Sequence, residues 1–170
     1  KPSIVKDVRK LNNFSAENFS AEILKEFDPY FIWASPPCTE FSRYSQPGLY
    51  DEYYMFKRGE WLPDMSIVKA CKNIIDYLQP KYWCIENVRG AKKFISDELK
   101  LKPRVKLGNA WWLWGNFPIF SVSADLKKNC NASSDPRKRA FVPLEISQGM
   151  LNAITKQLTL NEFITADKLK

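Results

Sequence analysis

Three short, uninterrupted apolar runs limit what this chain can fold into more than any other feature. They are Tyr30-Phe31-Ile32-Trp33-Ala34, Tyr82-Trp83-Cys84-Ile85 and Trp111-Trp112-Leu113-Trp114. Each is short for a helix, and each is closed by turn signals. Such runs suit strands buried on both faces, as in a parallel sheet, where polar and apolar residues need not alternate. Ser35-Pro36-Pro37-Cys38 ends the first run abruptly, because two prolines cannot continue a central strand. Glu86-Asn87 closes the second, and Gly115-Asn116 with Pro118 closes the third.

Helical spacing fills the intervals. Asp64 is the expected cap of a helix in which Ile67, Cys71, Ile74, Ile75 and Leu78 share one face, with Pro80 as its stop. A short helix is expected around Ala91 to Leu99, and a last one from about Ser147 to Leu158. Upstream, Ser3 to Val8 reads as a strand, and Ser20 as the cap of a helix over Ala21 to Phe27. Residues 39–63 read as an irregular loop with many aromatics and with Arg43 and Arg58. A loop of that length inside a compact domain is usually functional or mobile. Residues 125–139 read as a basic, loop-like insert. This order predicts an α/β fold with a doubly wound, mostly parallel sheet, in one domain over residues 1–170. Active sites of such sheets lie at the C-terminal ends of strands. Ser35-Pro36-Pro37-Cys38 and Glu86-Asn87-Val88-Arg89 both fall at such ends.

Composition narrows the partners. A chain of 170 residues, 45% hydrophobic, suits one domain with a real core. No apolar run reaches the roughly 18 residues of a membrane-spanning helix. The N-terminal residues have no apolar signal region, and 14% aromatic residues is too many for a disordered chain. Lys+Arg 26 against Asp+Glu 19 gives a net charge of +7, which fits a polyanion such as nucleic acid and equally an ordinary basic surface. Cys38, Cys71, Cys84 and Cys130 form no CxxC pair, and histidine is absent from the sequence. No metal site is therefore expected. A disulfide framework is not expected either, which points to reduced thiols and a cytoplasmic location; a monomer is expected. The chain begins with Lys and enters a strand-like segment almost at once, so it reads as a piece of something longer or as a processed form.

Two residues carry candidate chemistry. Cys38 follows a rigid Pro-Pro at the mouth of a strand, as a nucleophile would, although residue type alone favours an ordinary half-buried cysteine. With no histidine as base, activation must come from backbone N–H groups, an arginine or the substrate. Glu86, walled by Trp83 and Tyr82, is expected to have a raised pKa and to donate a proton. The competing reading is a structural acid or an ion pair with Arg89.

Taken together, Ser35-Pro36-Pro37-Cys38-Thr39-Glu40-Phe41-Ser42 and Ile85-Glu86-Asn87-Val88, about 45 residues apart, resemble the DNA cytosine-5 methyltransferase family. The Asp64 to Leu78 helix and Pro80-Lys81-Tyr82-Trp83 look like that family's connecting segment. Leu113-Trp114-Gly115-Asn116-Phe117-Pro118 and Arg139-Ala140-Phe141-Val142-Pro143 are similar to segments of its short phage and prokaryotic members. The resemblance implies a Rossmann-like methyltransferase fold, incomplete at the N-terminus, that uses S-adenosylmethionine on double-stranded DNA with a flipped cytosine. Cys38 would be the thiolate that adds to carbon 6. Glu86 would sit against ring N3 and the exocyclic amine. Asn87 would hold local backbone geometry, and Pro37 would lie beside the base. Arg43 or Arg58, in a closing loop over 39–63, would meet phosphates. Arg104 is the best match for an assisting arginine. Asp7 would contact the cofactor adenine, and Pro36 would line the same pocket. Residues 111–139 would serve as a small recognition segment.

The chain departs from that pattern in its cofactor part. The family's Phe-x-Gly-x-Gly turn and the acidic strand end that holds the ribose are both missing, in a sequence with only six glycines. Two other readings follow. One is an amino-methyltransferase on DNA, although such enzymes usually place an aromatic residue where Cys38 stands. The other is a nucleic-acid-binding module that has lost activity, favoured by the missing turn and opposed by the intact Cys38 and Glu86.

Overall fold

A computed structural model describes residues 28–44, 56–108, 111–122 and 142–167, with side chains outside the description at 42–44 and 158–167. The strand and helix expected before residue 28, and the basic insert at 125–139, lie outside the described residues. The three apolar runs form strands: β1 (Phe31–Ala34), β2 (Tyr82–Asn87) and, after a strand β3 (Val105–Leu107) that the apolar pattern does not reveal, β4 (Trp111–Asn116). The second and third runs extend two residues past their expected ends. Glu86 and Asn87 stay in the ladder opposite Leu113 and Trp112, because the partner backbone continues beside them.

The sheet order is β1-β2-β4-β3. β1 and β2 pair in parallel, from Phe31 opposite Tyr82 to Ala34 opposite Ile85. β4 runs antiparallel to β2 and to β3. The described sheet is thus a small mixed one, and the expected mostly parallel order holds for the β1–β2 pair alone. The reason lies in the connection. Only a few residues join Leu107 to Trp111, and a link that short can join antiparallel neighbours but not parallel ones. β1 stands at the edge of the described sheet, so its residues are half-buried rather than enclosed on both faces.

Helices cover both sheet faces. α1 (Thr39–Tyr44) begins directly after Cys38, so the segment expected to be an irregular loop starts as helix. α2 (Ser66–Leu78) starts where the Asp64 carboxylate accepts the Ser66 backbone N–H at 2.8 Å. It ends at Gln79, which adopts the left-handed conformation just before Pro80. A 3₁₀ turn (Arg89–Ala91) leads into α3 (Lys92–Leu99). α4 (Leu144–Asp167) starts immediately after Pro143 and runs past the expected end, since no Pro or Gly follows Gly149 to stop it.

Strand alternation sorts the core into two halves. Ile85, Trp112 and Trp114 pack with Phe41 of α1, Val68 and Ile75 of α2, and Phe94 and Ile95 of α3. Cys84, Leu113, Tyr82 and Phe117 pack on the other face with Ile146, Met150 and Ile154 of α4. Trp114 is fully buried, and its indole N–H donates to the Ser96 hydroxyl at 3.0 Å, so its one polar group is satisfied.

Candidate functional site

The parallel register fixes the site. With Ala34 opposite Ile85, the chain after β1 and the last residues of β2 reach the same edge of the sheet. There the two sequence motifs meet. The Asn87 side chain is only 1% exposed, and its Nδ2 donates to the Pro36 carbonyl at 2.9 Å across 51 residues of sequence. Its Oδ1 accepts the Val88 N–H, also at 2.9 Å. One amide thus ties the turn after β1 to the end of β2. α1 then lies against the 3₁₀ turn, and the Phe41 ring sits 6.0 Å from that of Phe94.

Within the turn, Pro36 is buried, Pro37 is exposed and Cys38 is half-buried with a free thiol. Glu86 is 8% exposed. Period-two alternation places it on the β2 face that carries Cys84, opposite the face that carries Asn87. The electrostatics agree. Burial pushes the Cys84 thiol well above its ordinary pKa, and the Glu86 charge adds to the rise. Cys84 is therefore a poor candidate for reactivity. A half-buried thiol and an enclosed carboxyl group thus stand on neighbouring segments at one end of the sheet.

The other expected site residues are placed as follows. Arg104 is exposed, just ahead of β3. Its N–H donates to the Leu113 carbonyl, and its guanidinium stacks 5.8 Å from the Phe117 ring. Phe117 follows the far end of β4, so the structure does not bring Arg104 to the Cys38–Glu86 edge. Arg58 is held by Glu60 through two contacts, at 2.6 and 2.7 Å. That hydrogen bond keeps the Glu60 carboxyl below its ordinary pKa. Arg43 belongs to α1, but its side chain is outside the description, and Asp7 lies outside the described residues altogether. So does most of the recognition segment expected at 111–139, beyond Val122.

Of the residues expected around S-adenosylmethionine, only Pro36 is described. It is buried, and its carbonyl is occupied by Asn87. A buried proline has no polar side chain to offer a nucleoside, so the described residues do not by themselves fit that cofactor. A depression of about 340 Å³ is lined by Phe56, Leu62, Met65 and residues of α3, with neither Cys38 nor Glu86 on its wall. Among the described residues, no group of three His, Cys, Asp or Glu could hold a metal, and no helix is long and apolar enough to cross a membrane.

Sequence reasoning missed Lys92 and Lys106, which flank Trp112 near this edge. The signal was hidden because β3 has only three residues and carries no apolar run. Comparison with protein-family models, with curated proteins and with solved structures finds no match to this chain.

Proposed function

We propose that this chain carries the nucleophile half of a DNA cytosine-5 methyltransferase, within a Rossmann-like sheet of which the described strands form a part. The observation that supports it best is the Asn87–Pro36 hydrogen bond, which joins a Pro-Pro-Cys turn to a Glu-Asn-Val strand end. A base inside a duplex is out of reach, so the cytosine must be flipped out to meet Cys38. The Cys38 thiolate adds to carbon 6, forming a sulfur–carbon bond and pushing an electron pair toward carbon 5. Glu86 supports the negative charge that reaches ring N3 by sharing its proton there. S-adenosylmethionine would have to be held by residues beyond the described ones, and it would supply the methyl group for carbon 5. Transfer of the carbon 5 proton to water then returns the electron pair to the ring, breaks the sulfur–carbon bond and frees Cys38. Pro37, exposed and next to Cys38 in sequence, would lie beside the base.

Fluorine at carbon 5 blocks the final proton loss. Duplex DNA containing 5-fluorocytosine, incubated with the protein and S-adenosylmethionine, is expected to give an adduct that survives denaturation. Peptide mapping should place it on Cys38, and Cys38→Ser should abolish it. Reversible binding without any adduct would overturn the assignment and leave a nucleic-acid-binding module.

A further inference from the structure

We propose that Lys92 and Lys106 form a phosphate-backbone contact for a nucleic-acid strand running along the sheet edge that carries Cys38 and Glu86. The two ammonium groups converge on one ring. Lys106 Nζ lies 5.1 Å from the Trp112 centroid and Lys92 Nζ 5.9 Å from it. They arrive from different elements, Lys106 from β3 and Lys92 from the first position of α3. Trp112 pairs with Asn87 on one side and with Lys106 on the other. Asn87, Trp112 and Lys106 thus form a row across the sheet. At the usual strand spacing, the Lys106 backbone is about 10 Å from that of Asn87. The row shares the face of Asn87, whose amide holds the turn that bears Cys38, so a polymer contacting it would pass beside that turn.

The charges of these two lysines are not answered locally. Lys93, next in sequence, pairs with Asp97 at 2.9 Å, and Lys72 pairs with Asp76 in its own helix. Neither Lys92 nor Lys106 has an ion pair with an acid among the described residues, and both are exposed. The face of the indole attracts each cation, yet two like charges over one ring repel each other. An anion bridging them relieves that repulsion, and a phosphodiester supplies one at every step of a strand. A membrane surface fits less well. Trp112 is itself buried, so the patch offers no apolar face to insert among lipids. The same burial leaves no ring face for stacking a base, so the contact positions the polymer and does not read its sequence.

The inference rests on the methyltransferase reading for the identity of the polymer, and its test is separable from that reading. Binding of a labelled duplex is titrated over a range of salt concentrations in a Cys38→Ser background, where no adduct can form. Lys92→Gln with Lys106→Gln is expected to lower the slope of log affinity against log salt by about 2, and to weaken binding alike for unrelated sequences. Lys92→Arg with Lys106→Arg should restore the slope. Lys69→Gln with Lys72→Gln on α2 should leave it near the parent value. A glutamine pair that changes the slope no more than the α2 pair overturns the contact, as does a loss seen only with phosphatidylserine vesicles. Failure of the 5-fluorocytosine adduct with a normal slope change would instead sink methyl transfer and leave the contact standing.

Discussion

Asn87 shows how much one side chain can hold in place. Both ends of its amide are used, one on Pro36 and one on Val88, and almost none of it meets solvent. Replacing it by alanine leaves the Pro36 carbonyl without a protein donor, at a cost of about 1–3 kcal/mol. Urea denaturation of Asn87→Ala should show that loss. Formation of the 5-fluorocytosine adduct should slow more than duplex binding weakens, because the turn bearing Cys38 loses its anchor. Equal stability of variant and parent would mean that the amide is not the anchor. This role was within reach of the sequence only through the resemblance, since no periodicity tells an Asn at a strand end which distant carbonyl it will meet.

The strands and helices show why some of the fold was legible and some was not. Apolar runs and Pro stops are local signals, and they located β1, β2, β4 and α2 well. Strand direction is a non-local property. The antiparallel entry of β4 depends on β3, whose three residues, Val105-Lys106-Leu107, give too short an alternation to stand out. Meeting of the Cys38 and Glu86 segments was legible from motif order, whereas the remote setting of Arg104 was not, because it follows from that same hairpin. Close approach of β4 to β2 is visible at Gly115, whose φ is +144°. A Cβ there would lie 2.1 Å from the Trp83 carbonyl oxygen, a backbone atom that cannot step aside. Gly115→Ala is expected to destabilise the fold by about 3 kcal/mol, from strain and overlap together. A thermal melt unchanged from the parent would contradict this packing of β2 on β4.

For the molecule as a whole, one half-buried and one buried thiol set an alkaline limit. Burial raises Cys71, and burial with the Glu86 charge raises Cys84 further. An unfolded chain releases these protons near a pH of about 8.5, while the folded chain keeps them. The folded state then binds more protons, so the stability present below that pH is lost as pH rises toward the folded values. The urea midpoint should fall between pH of about 8 and about 9.5, and Cys84→Ala should flatten the fall. An identical decline in the variant would place its origin elsewhere. The parallel pairing of β1 also orders events in time. Its partner strand lies about fifty residues downstream, so a chain leaving the ribosome cannot cover Phe31 to Ala34 until β2 has been synthesised. Through that interval of translation the apolar stretch just ahead of Cys38 has no β2 to pair with, and the Cys38 turn gains its Asn87 anchor only after that strand has emerged.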